Sequence, residues 1–96
     1  MTPLSVIIPA FRPQSFEALA RSMAVNADVA AEWIVVDDAS GPAYDAAFAS
    51  LPAGVQLIRQ PENRRQGAAR NAGLARAQGT WIKFLDADDE LDTGHL

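Results

Sequence analysis

The sequence predicts an α/β domain of three layers, with helices on both faces of a mostly parallel sheet. Three observations lead there. Four short apolar runs rich in β-branched or aromatic residues are separated by segments whose apolar residues recur at helical spacing, and strands that alternate with helices pair in parallel through right-handed crossovers. Each run is closed by proline, acidic or turn-forming residues, so the runs are separate strands. The chain has 96 residues, 49% hydrophobic and 21% charged, which is the composition of one small globular domain.

Leu4-Ser5-Val6-Ile7-Ile8 is the first predicted strand, ending at Pro9, which cannot donate to a sheet ladder. After Ala10-Phe11-Arg12-Pro13, Ser15 is placed to cap a helix in which Phe16, Leu19, Ala20 and Met23 face inward, and that helix is expected to end between Asn26 and Ala30. Trp33-Ile34-Val35-Val36 is the second strand, stopped by Asp37-Asp38 and the turn-forming Ser40-Gly41-Pro42. Tyr44, Ala47, Phe48 and Leu51 mark a short helix, and Pro52-Ala53-Gly54 separates it from a third strand, Val55-Gln56-Leu57-Ile58. Gly67 opens a segment of small residues through Ala77, which suits a helix lying close to a sheet. Gly79 is read as its C-terminal glycine, and Trp81-Ile82-Lys83-Phe84-Leu85 is the fourth strand.

If the first three strands wind outwards and the fourth returns to the far side of the first, the order is 3-2-1-4. Ligands in such sheets bind beyond the carboxyl ends of the strands where the order reverses. The residues at that crevice are Pro9-Ala10-Phe11 and Asp86-Ala87-Asp88, with Asp37-Asp38 on the same rim.

The net charge of −4 and pI near 4.7 argue against a nucleic-acid-coating protein. The charges are nevertheless segregated: Arg59, Arg64, Arg65, Arg70 and Arg76 precede five acidic residues between Asp86 and Asp92, an order that suits an anion held together with its cation. Without cysteine there are neither disulfides nor thiolate metal sites. No apolar run reaches the roughly 18 residues of a membrane span, and a cytoplasmic location is expected, the cytoplasmic face of a membrane being open to a longer parent protein.

The D-x-D at Asp86 and Asp88 carries the chemistry. Hard cations such as Mg²⁺ or Mn²⁺ take oxygen ligands and are commonly held by one or two carboxylates while substrate phosphates complete the shell. The alternative for an acidic cluster at a strand end is a solvated loop.

The strings SVIIPAF, WIVVDDAS, GAARNAGLARAQG and WIKFLDADD, in this order, resemble the N-terminal nucleotide-sugar-binding half of family 2 glycosyltransferases, whose fold is the Rossmann-like GT-A fold. The resemblance covers nearly the whole chain and implies a glycosyltransferase of hexosyltransferase type that moves a sugar from a nucleotide diphosphate, UDP being the expected nucleotide, with inversion. Pro9, Ala10 and Phe11 match the part of the nucleotide pocket after the first strand, although Arg12 stands where the family usually has Asn. Asp38 matches the residue that reads the base, in keeping with a carboxylate accepting the ring N–H of uracil or guanine. Asp37 is read as a turn former and helix cap. Arg70 matches an arginine beside the base or diphosphate, with an ion pair to Asp86 or Asp88 as its alternative. In the matching D-x-D, Asp86 is implied to hold the ribose and Asp88 the metal, with Ala87 between them and Asp89 a second candidate near the metal.

An inverting transferase also needs a general base within reach of the acceptor hydroxyl. The family places it well beyond the D-x-D, and His95, two residues after Thr93, is not read as a substitute. Residues 1–96 are therefore expected to be the donor half of one longer GT-A domain, inactive alone, with no acceptor half. Such a piece would expose an edge of its fourth strand and would self-associate through it or be only marginally stable. Two other readings stand beside this one. A non-catalytic nucleotide-binding domain would share every feature so far. A Mg²⁺-binding phosphoacceptor module would need acidic residues after the first strand and a lysine after a late one, whereas here the first strand leads into Pro9-Ala10-Phe11 and Lys83 lies inside a strand.

Overall fold

The computed structural model describes residues 4–13, 15–26, 31–63 and 65–85. The elements run β1 (Leu4–Ala10), α1 (Glu17–Val25), β2 (Ala31–Asp37), a 3₁₀ turn (Pro42–Tyr44), α2 (Asp45–Ala49), β3 (Val55–Arg59), α3 (Arg65–Arg76) and β4 (Trp81–Phe84). The sheet is parallel throughout and ordered β3-β2-β1-β4, as expected.

Alternation within the central strands builds two cores. Val6, Ile8, Trp33 and Val35 point to one face, where Phe16 and Leu19 of the α1 region and Phe48 of α2 cover them. The Phe16 and Phe48 rings meet at 5.5 Å in a tilted pair. Ile7, Ile34 and Val36 point to the other face and pack under Ala69 of α3. The close approach of α3 depends on its small residues: a Cβ on Gly73 would overlap the fully buried Ile7 side chain.

Several boundaries differ from expectation, each for a local reason. Pro9 does not end β1. Ala10 O accepts from Asp38 N–H on the β2 side while Ile7 O accepts from Leu85 N–H on the β4 side, so alternation turns the missing Pro9 donor toward β4, where pairing stops. Ser15 does not cap α1: the cap position is Phe16, with no side-chain bond, and the helix ends at Val25. Ala20 is exposed and Ala18 buried instead. The inward stripe also includes Ser22 and Asn26, which donate to the Ala18 and Ser22 carbonyls and so can lie against the core. Gly79 is not a left-handed helix terminator, for the glycines with positive φ among the described residues are Gly41 and Gly54. Its lack of a side chain serves close packing against Leu4 and Ser5.

Among the described residues β4 is an edge strand, paired only with β1, and it carries exposed Trp81 (73%), Ile82 and Phe84. No described helix is long and apolar enough to cross a membrane.

Candidate functional site at the carboxyl edge of the sheet

Parallel pairing carries the ends of β1, β2 and β4 to one edge. β1 and β2 are matched through Ala10↔Asp37, and β1 and β4 through Ile7↔Phe84, followed by the Leu85 N–H to Ile7 O bond of 3.0 Å. The chain therefore leaves β4 at Leu85 one strand away from Pro9-Ala10-Phe11. Asp86, Ala87 and Asp88 come next in the sequence and lie outside the described residues, as do Asp89 and His95.

The loops after β1 and β2 are joined by a polar relay. The Arg12 N–H donates to Ser40 Oγ (2.8 Å), and the Ser40 hydroxyl donates to Asp37 Oδ1 (2.6 Å). Ser40 N–H donates to the same oxygen (2.9 Å), which closes a turn over Asp37. The other Asp37 oxygen accepts from Arg59 Nε of β3 at 3.0 Å, and Arg59 reaches on to Asp45 while its guanidinium lies over the Phe48 ring. Hydrogen bonds to Asp45 and then to Asp37 push the Arg59 guanidinium further above its ordinary pKa, so it is a cation throughout the accessible pH range. Asp37 thus forms the expected turn, but it does not cap the following helix, which has Gly41 at its cap position and no side-chain bond.

The relay holds strained backbone. Arg12 (φ 51°) and Ala39 (φ 60°) are non-glycine residues in the left-handed region, one in each loop. Replacing Asp37 with Ala removes the acceptor of three side-chain or backbone donors and is expected to destabilise the protein by about 2–3 kcal/mol. Chemical denaturation would show a lower midpoint with unchanged slope. Asp45→Ala, which removes only an exposed pair, should leave the midpoint nearly where it was.

The remaining predicted site residues fall around this edge. Pro9 and Ala10 are buried, whereas Phe11 is exposed and carries the Arg12 guanidinium 4.9 Å from its ring centroid. Asp38 is only 3% exposed, its N–H given to Ala10 O. Arg70 projects from α3 over the Phe84 ring at 5.6 Å, and its buried Nε has no hydrogen-bond partner among the described residues. Its expected ion-pair partners, Asp86 and Asp88, lie outside those residues. Among the described residues no group of three or more His, Cys, Asp or Glu side chains could hold a metal. The D-x-D itself supplies the hard oxygen donors that Mg²⁺ or Mn²⁺ takes, and it follows the strand whose end is beside Arg70. Lys83 pairs in register with Val6, inside the sheet and away from the edge, which removes the lysine that a phosphoacceptor site would need there.

Ser40 and Arg59 were not singled out from the sequence as parts of this edge. Serine is common in turns, and Arg59 reaches Asp37 only because β2 and β3 align Asp37 with Arg59.

The family profile described as "Glycosyl transferase family 2" matches residues 5–96. The succinoglycan biosynthesis protein ExoO of Rhizobium meliloti is 48% identical over 69 residues, 71% of this chain and 20% of that protein. The GalNAc(5)-diNAcBac-PP-undecaprenol beta-1,3-glucosyltransferase of Campylobacter jejuni is 36% identical across 100% of this chain and 33% of its own length. Among solved structures, residues 1–349 of S. aureus TarS superpose with a TM-score of 0.74 at 24% identity, covering 99% of this chain and 30% of that one. The chain thus spans a third or less of the length of these relatives.

Proposed function

The chain belongs to glycosyl transferase family 2, and from that premise we propose that it is the donor-binding half of a GT-A enzyme that transfers a hexose, with inversion, from a UDP-sugar to an acceptor. The observation that carries the reading is the pairing of β4 with β1, which brings the strand leading into the D-x-D beside Pro9-Ala10-Phe11 and beneath Arg70.

Each residue has a task set by its chemistry. Asp38 accepts the ring N–H of the base, and the Phe11 face and the backbone of Pro9 and Ala10 wall the nucleotide. Arg70, with a planar cation and a free Nε, forks onto diphosphate oxygens or stacks on the base. Asp86 holds the ribose, and Asp88, with Asp86, holds Mg²⁺ or Mn²⁺. When bound, that ion offsets the charge developing on the diphosphate leaving group. The general base belongs to a part of the enzyme beyond residues 1–96. The names of the Rhizobium and Campylobacter relatives support a growing glycan, free or lipid-linked, as acceptor. The apolar outer edge of β4 supports self-association of the isolated chain.

Calorimetric titration of the longer enzyme with UDP, with and without Mn²⁺, tests the reading. Binding that strengthens with the metal is expected. No binding, or binding indifferent to the metal, would sink it.

A further inference from the structure

Two polar residues interrupt otherwise apolar strands at the end of the sheet opposite the candidate site. Ser5 of β1 and Glu32 of β2 are register partners, and Ser5 is fully buried. The Glu32 carboxylate accepts from the Ser5 hydroxyl, from Gln56 Nε2 of β3 (3.2 Å) and from the Gln78 N–H of the α3–β4 connection. Gly79 N–H donates to Ser5 Oγ (2.8 Å) and also faces the carboxylate. Burial pushes the Glu32 pKa up, but the bonds from Ser5, Gln78, Gln56 and Gly79 outweigh it and hold the carboxyl below its ordinary 4.5, so it is a charged acceptor at neutral pH. One side chain of β2 therefore ties β1, β3 and the start of β4 together.

β4 needs such a tie. It has four residues and, among the described residues, one neighbouring strand. Register is normally specified by burying every second side chain, yet within β4 Trp81, Ile82 and Phe84 are exposed and Lys83 is half-buried, which among the described residues leaves Leu85, buried in the core just past the strand's end, as the one side chain favouring an alignment. A slip of one residue would turn every β4 side chain to the other face, and a slip of two would shift the strand along β1 by about 6–7 Å. Either would displace the chain beyond Leu85. At the Glu32 end, by contrast, the alignment is tightly constrained: the Gln78 and Gly79 amides have assigned acceptors, and Gly79 lies so close to the Ser5 and Leu4 backbone that no other residue fits without a shift.

We infer that Glu32, acting through Ser5 and the Gln78-Gly79 amides, fixes the register of β4 on β1 and is a positioning residue for the D-x-D at the far end of that strand. The link from register to donor binding rests on the function proposed above, whereas the register claim does not.

The test uses the longer enzyme and two readouts, amide hydrogen exchange and UDP titration with Mn²⁺. In Glu32→Ala the amides of β4 and Leu85 should exchange about tenfold faster, as expected for losing hydrogen bonds worth about 1.4 kcal/mol together, while β2 and β3, which lose only the Gln56 side-chain bond, change less. UDP affinity should fall by about fivefold or more in the same variant. Glu32→Gln keeps an acceptor oxygen and should restore most of both. If Glu32→Ala does not fold, Ser5→Ala, which removes the relay but not the carboxylate, should show the same exchange pattern confined to β4. Unchanged β4 exchange, or equal acceleration across the whole sheet, overturns the register claim. Faster β4 exchange with unaltered UDP affinity overturns the positioning role. A wild-type enzyme that does not bind UDP removes the donor reading, and the exchange data still decide the register claim.

Discussion

Asp88→Ala in the longer enzyme is expected to lower sugar transfer by about 10²–10³-fold, the loss typical of removing one preorganised electrostatic group from a reacting centre. In the proposed reaction the sugar–diphosphate bond breaks with negative charge accumulating on the leaving group. Among the described residues Arg70 is the cation at this edge whose buried Nε lacks a hydrogen-bond partner, while Arg12 lies over the Phe11 ring and Arg59 is held by Asp37 and Asp45. In the proposed mechanism a metal held by Asp88 and Asp86 would supply the main counter-charge to the diphosphate. Asp86→Ala should act mainly on donor affinity, because its chief proposed partner is the ribose and it only shares the metal with Asp88. The measurement is kcat and KM for donor turnover across a Mn²⁺ series. Near-normal kcat in Asp88→Ala would remove the metal from the mechanism, and recovery at high Mn²⁺ would mean that the residue only raises metal affinity.

Gly79→Ala is expected to cost about 3 kcal/mol of stability, at the upper end for overpacking. A Cβ at this position would meet Ser5 N at 2.6 Å and Leu4 C at 2.8 Å, both backbone atoms of buried β1. A flexible side chain could move aside, but the central strand of a sheet paired on both edges cannot. Gly67 is the internal control. A Cβ there meets nothing within 4 Å, and it lies within α3, so Gly67→Ala should stabilise by about 0.5–1 kcal/mol through helix propensity. Thermal unfolding of the two variants should move in opposite directions. A neutral Gly79→Ala would mean that the α3–β4 connection can separate from β1 at no cost.

The architecture was legible because each strand is a short apolar run with a clear stop, and because alternating strands and helices admit few topologies. Element ends were less legible. Parallel ladders continue into residues that look like terminators, as at Pro9 and Asp37, since what matters is the side to which each backbone group turns. Gly79 was read for its commonest use at a helix end, and its actual reason, the proximity of β1, is a contact across 74 positions of sequence. The same holds for the site. Phe11 and Asp38 could be placed near one edge from topology and Arg70 from the family resemblance, but the Arg12–Ser40–Asp37–Arg59 relay depends on groups from three separate segments meeting. The Glu32 clasp left half a signal: Ser5 is a polar residue inside a predicted buried strand, which implies partners that a linear reading does not identify, whereas Glu32 precedes the predicted second strand.

The central place of β1 has a consequence for biosynthesis. Of the described strands it is made first, yet its partner on one edge, β4, begins at Trp81, some seventy residues later. At ribosomal rates of about 5–20 residues per second, an apolar strand waits on the order of ten seconds with that edge open, long enough for pairing with a neighbouring nascent chain. Pro9 withholds one donor from that waiting edge, so a residue that does nothing for the finished ladder makes the unfinished one a poorer template.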